Sequence, residues 1–101
     1  MITAPPPDPA TIATVEDATE AIKTVDELRR ALIDSPRTPA TWLAIAEAYD
    51  TQAAIYSRMM TLAAIANPPA IYYAARDASQ HCATQAAIFR ARARKAEGRG
   101  W

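Results

Sequence analysis

Apolar residues recur at helical spacing in three stretches of this chain, and prolines fall only between them. Prolines occupy positions 5, 6, 7 and 9, then 36 and 39, then 68 and 69. Proline removes an amide donor and clashes with the preceding helical turn, so each group marks a boundary. The first group reads as a flexible, extended tail over residues 1–9. A single helical unit over 10–97 and a flexible C-terminal end over 98–101 follow.

In the first stretch Thr24-Val25-Asp26-Glu27 has the form of a capping box, with Thr24 as N-cap and Glu27 three positions on. Val25, Leu28 and Leu32 then recur at helical spacing, which predicts a helix over about 24–35. Upstream, Ile12, Val15, Ala18 and Ile22 extend the same stripe. The interspersed β-branched Thr11, Thr14 and Thr19 weaken it. The second stretch predicts a helix over 39–66, opened by Thr38 and Pro39. Trp42, Ile45, Tyr49, Tyr56, Met59, Met60 and Ala63 form its stripe. Ala48, Ile55 and Leu62 broaden that stripe enough to meet more than one neighbour. The third predicts a helix over 69–97, with Gly98 just past its end. Its stripe is Ile71, Ala75, Ala78, Cys82, Ala86, Phe89 and Ala93.

The connection Asn67-Pro68-Pro69 is short, so the second and third helices fold back on each other. Positions whose numbers sum to about 135 to 138 then face each other. Tyr56 meets Ala78 and Cys82, Tyr49 meets Ala86 and Phe89, and Met60 meets Ala75. Large residues oppose small ones, which permits close packing. The predicted fold is all-α: a long antiparallel helical hairpin, with a shorter N-terminal helix across it in the manner of a three-helix bundle.

Composition agrees with this picture. A quarter of the residues are alanine, and the only glycines are Gly98 and Gly100. Without internal glycine there is no phosphate-cradling loop, no Rossmann fingerprint and no nucleophile elbow. Alanine buries little area, so the core is thin and a partner subunit is expected to help. No apolar run is long enough to span a membrane. The N-terminus lacks the basic and apolar regions of a secretory signal. One cysteine and one histidine make neither a disulfide nor a zinc site, and the expected setting is the cytoplasm. The net charge is zero, yet residues 1–50 carry nine acids and four bases, and residues 51–101 carry two acids and seven bases.

Few residues suggest chemistry. His81 and Cys82 are adjacent, so on a helix they point about 100° apart and do not form a nucleophile–base pair. Glu16, Asp17, Glu20, Asp26 and Glu27 lie where helix starts favour acids and have no metal-ligand spacing. No catalytic, metal or cofactor residues are expected, and the chain is not expected to be an enzyme. Two surfaces stand out. Tyr72 and Tyr73 near the hairpin tip cannot both face inward, which makes them a candidate partner surface. Arg90, Arg92, Arg94 and Lys95 form a candidate patch for nucleic acid or an acidic partner, with Arg37 as a further cation. Cations at a helix C-terminus also stabilise the helix itself.

Residues 31–38 followed by Trp42 are similar to the turn and second helix of a helix-turn-helix. Ile33 stands where that motif has glycine, Asp34 where it has an apolar residue, and the helix is too long for a recognition helix. A broader likeness spans about residues 42–86. Trp42-Leu43-Ala44, Ala54-Ile55-Tyr56 and Ala70-Ile71-Tyr72-Tyr73-Ala74-Ala75-Arg76-Asp77 resemble a group of small actinobacterial or actinophage helical-hairpin proteins. That resemblance implies an actinobacterial or actinophage origin and brings no activity. The expected role is a non-enzymatic interaction or accessory protein, with a protein partner or a homo-oligomer. The alternative is a nucleic-acid-binding accessory protein.

Overall fold

The computed structural model describes residues 8–66 and 69–98. A 3-10 turn at Pro9–Thr11 precedes three α-helices: α1 (Val15–Ile33), α2 (Pro39–Ala66) and α3 (Pro69–Gly98). No strand occurs among the described residues. The chain is therefore an all-α hairpin of two long helices preceded by a shorter one. The two long helices begin at the prolines the sequence marks, since a proline at the first helical position loses no hydrogen bond. Gly98 is the last residue of α3 rather than the residue after it. Asn67, Pro68 and residues 1–7 and 99–101 lie outside the described residues.

The start of α1 corrects the sequence reading. Thr14, not Thr24, is its N-cap, and the Thr14 hydroxyl accepts from the Asp17 amide at 3.0 Å. Thr24 sits inside the helix and donates its hydroxyl to the Glu20 carbonyl at 3.1 Å. Thr19 does the same to the Val15 carbonyl at 2.9 Å. The threonines thus satisfy themselves on the solvent side, while Ala18, Ala21 and Val25 are buried opposite them. Burial of that apolar face outweighs the poor helix propensity of threonine. The helix also ends at Ile33, two residues before the expected limit.

The α2–α3 hairpin is closely packed in the expected register. Ser57 Oγ and Ser79 Oγ lie 3.0 Å apart, and Ser79 Oγ donates to the Ala53 carbonyl at 3.0 Å. A serine reaches the backbone of the opposite helix only where side chains between them are small. Ala46, Ala75, Ala86 and Ala93 meet that condition and are buried. Tyr49 stacks on Phe89 with ring centroids 5.6 Å apart, as the register predicts.

Within this all-α bundle, α1 lies along α2 rather than across both arms of the hairpin. Arg58 Nε donates to the Ile12 carbonyl at 2.9 Å. Gln52 Nε2 approaches the Ile22 carbonyl at 3.5 Å, and Arg29 Nη1 donates to Tyr49 Oη at 3.1 Å. As position rises along α1 its α2 partner falls, so α1 runs antiparallel along α2. It packs on α2 and scarcely touches α3. The molecule is accordingly flat, 51 × 30 × 20 Å, with a groove between α1 and α3 whose floor is α2. Val25, Ile45 and Ile55 are the largest fully buried side chains, each stabilising the fold by about 1.5–3 kcal/mol. Among the described residues no helix is long and apolar enough to cross a membrane.

Candidate functional site

The base of the hairpin, where α2 begins and α3 ends, carries an aromatic row. Trp42 and Tyr49 each lie 5.6 Å from Phe89, centroid to centroid. Arginines from three parts of the chain lie against these rings. Arg37, in the α1–α2 connection, lies 5.1 Å from the centre of the Trp42 ring. Arg92 of α3 lies 5.6 Å from Trp42 and 5.0 Å from Phe89. Arg29 of α1 lies 4.8 Å from Tyr49. A guanidinium over a ring face gains about 0.5–1 kcal/mol at exposed sites and loses some of its rotamer freedom.

The basic residues singled out in the sequence are therefore not equivalent. Arg90 is paired with Asp50 of α2 across the hairpin. That hydrogen-bonded carboxylate raises the guanidinium pKa further and holds the charge in place. Arg90 thus shares its charge with Asp50 in an exposed pair. Arg92 is exposed and laid over the aromatic row, while Arg94 and Lys95 are exposed on the same turn of α3. Arg37 joins them through Trp42. The sequence register already places Arg92 nearly opposite Trp42. The missing signal was that Trp42 is only half-buried and so within reach of both Arg37 and Arg92.

At the other end Tyr72 and Tyr73 pack edge to face, 5.5 Å between centroids. Tyr73 is 52% exposed and Tyr72 is half-buried. Arg76 lies 5.0 Å from the Tyr73 ring. The tip therefore presents one open tyrosine.

A third feature was not legible in the sequence. The groove between α1 and α3 deepens into a cleft of about 480 Å³, bordered by Ile22, Asp26, Arg29, Tyr49, Gln52, Tyr56, Ala78, His81 and Cys82. Gln52 is the one buried polar side chain among the described residues, at 4% exposure. Arg29 donates to Asp26 as well as Tyr49, and Asp26 is also paired with Arg30 at 3.0 Å. Burial pushes the Tyr56 phenol and the Cys82 thiol up, keeping both protonated at neutral pH. His81 is exposed at the rim and Cys82 is buried. Among the described residues no group of acids, histidines and cysteines is placed to hold a metal ion.

Compared with known proteins, the chain matches no family model, no curated protein and no solved structure.

Proposed function

We propose that this chain is a non-enzymatic interaction or accessory protein of the cytoplasm that docks an acidic protein partner on the base of its hairpin. One observation carries the reading: Arg37 and Arg92, from separate elements, both lie over the ring of Trp42. Stacked guanidinium groups offer pre-ordered, bidentate donors to carboxylates, so less side-chain entropy is lost on binding. Arg94 and Lys95 extend the positive field beyond them. Aromatic and arginine side chains together are also the residues enriched at protein interfaces. The likeness to actinobacterial hairpin proteins is carried alongside as a proposed origin, with no activity attached.

The second reading, a nucleic-acid-binding accessory protein, uses Arg90, Arg92, Arg94 and Lys95, with Arg37, on phosphates. The pairing of Arg90 with Asp50 weighs against it, because phosphate binding grows with the number of free cations. Fluorescence anisotropy separates the two. A labelled glutamate-rich peptide and a labelled random-sequence duplex are each titrated at several salt concentrations. The proposed function predicts the peptide as the tighter ligand and its loss in the variant carrying Arg37→Gln, Arg92→Gln, Arg94→Gln and Lys95→Gln. A duplex bound more tightly, with a log–log salt slope near about −3 to −4, would establish the second reading. Neither probe binding at low salt would overturn both.

A further inference from the structure

The cleft between α1, α2 and α3 holds more hydrogen-bond donors than acceptors. Tyr49 Oη accepts from Arg29 at 3.1 Å, so its own proton is free to be donated elsewhere. Gln52 directs one amide hydrogen at the Ile22 carbonyl and has a second left over. The Tyr56 hydroxyl makes no hydrogen bond among the described residues. Arg29 Nε is buried and has no partner. Against these donors the acceptors are few. Both carboxylate oxygens of Asp26 are taken, one by Arg29 and one by Arg30. The Gln52 carbonyl oxygen, the Thr19 hydroxyl oxygen and an imidazole nitrogen of His81 remain, fewer than the donors. Buried polar groups are paired in the great majority of folds, so an orphaned guanidinium nitrogen on the same cleft as two hydroxyls with protons left to donate marks a place where an acceptor belongs.

Charge points the same way. Arg29 and Lys23 border the cleft, and the single acid facing them, Asp26, is shared with a second arginine. The remaining wall is Ile22, Ala78, Cys82 and the two tyrosine rings, with Thr19 and His81 also bordering it. A volume of about 480 Å³ falls within the range of about 300–1,000 Å³ usual for small-molecule sites. We propose that this cleft binds a small monocarboxylate with an apolar body, its carboxylate received by the hydroxyls of Tyr49 and Tyr56 and the Gln52 amide beside Arg29, and its body against Ile22, Ala78 and Cys82. The elevated pKa of Tyr56 keeps its hydroxyl a donor at neutral pH. The cleft shares Arg29 and Tyr49 with the aromatic row, but Arg37, Arg92, Arg94 and Lys95 do not line it, so their substitution leaves it intact.

The test is an amide chemical-shift titration of the full chain with benzoate and with hexanoate. Benzamide serves as the neutral counterpart and sulfate as a bare anion. The site predicts saturable shifts at Ile22, Gln52, Tyr56 and Ala78 with the carboxylates only. Tyr56→Phe removes a hydroxyl that makes no hydrogen bond among the described residues, so the variant stays folded. It should weaken benzoate by about fivefold, the worth of one net hydrogen bond. Tyr49→Phe should weaken it similarly. No saturable shift with either carboxylate overturns the proposal. So does benzamide matching benzoate (a merely apolar cavity), sulfate matching benzoate (any anion attracted by Arg29), or an unchanged Kd in both phenylalanine variants.

Discussion

At the scale of single residues, the cap of α1 shows how two similar threonines divide. Thr14 supplies an acceptor to an amide with no intrahelical partner, whereas Thr24 is interior and solvent-facing. Thr14→Ala should therefore cost about 1 kcal/mol in urea unfolding. Thr24→Ala should stabilise by roughly 0.5 kcal/mol, because alanine is the better helix former. If the two effects were exchanged, the cap would lie at Thr24. Cys82 and Tyr56 give a pH signature. Burial raises both pKa values. An acid with a higher pKa in the folded state contributes stability that is complete below its ordinary pKa and is lost as pH rises through the folded value. The thermal midpoint should fall in the alkaline range, beginning where an ordinary thiol titrates. Cys82→Ala should remove the earlier part of that fall and leave the part due to Tyr56.

At the scale of elements, the hairpin and α1 have different standing. α2 and α3 are locked by small residues that bring their backbones together, as in the Ser79 contact to the Ala53 carbonyl. Ala86→Leu places a large side chain in this seam, where Ala86 has no exposed surface. It should destabilise by about 1–3 kcal/mol in denaturant titration. α1 is held almost wholly by α2, so it should open at lower free energy than the hairpin. Hydrogen exchange should show α1 amides less protected than those at the centres of α2 and α3; uniform protection would mean the three helices unfold as one unit.

The hairpin was legible because two independent apolar stripes, one of large and one of small residues, allow a single register. Tyr49 against Phe89 follows from spacing alone. The side on which α1 packs was not legible. Its buried face is two alanines and a valine, a weak signal, and its threonines look like breaks until their hydroxyls are seen to bond the preceding turn. The cleft was hidden for the same reason. Arg29, Gln52 and Tyr56 come from two helices whose relative rotation no one-dimensional pattern specifies. Arg90 is the opposite case: its charge was plain in sequence, but its engagement by Asp50 depends on which flank of the hairpin each occupies.

At the scale of the whole molecule, charge and shape combine. The rod is 51 Å long. The acids Glu16, Asp17 and Glu20 lie on the N-terminal turns of α1, and Arg37, Arg92, Arg94 and Lys95 gather at the base. Because α1 is antiparallel to α2, its acidic start lies toward the tip and the cations lie at the opposite end. The separation is partial, since Arg58 and Arg76 lie toward the tip and Asp34 and Glu97 near the base; the local field of the basic cluster steers an acidic partner, and that effect weakens as the Debye length shrinks from about 10 Å at 0.1 M salt to about 3 Å at 1 M. The most direct test of the docking role is a map of where an acidic ligand touches the chain. Amide and indole shifts are followed while a glutamate-rich peptide is titrated into the full protein at low salt. The account predicts saturable shifts at the Trp42 indole and at Arg37, Arg92 and Arg94, with the amides of Tyr72 and Tyr73 unmoved. Shifts confined to Tyr72 and Tyr73, or none at the Trp42 indole, would contradict it.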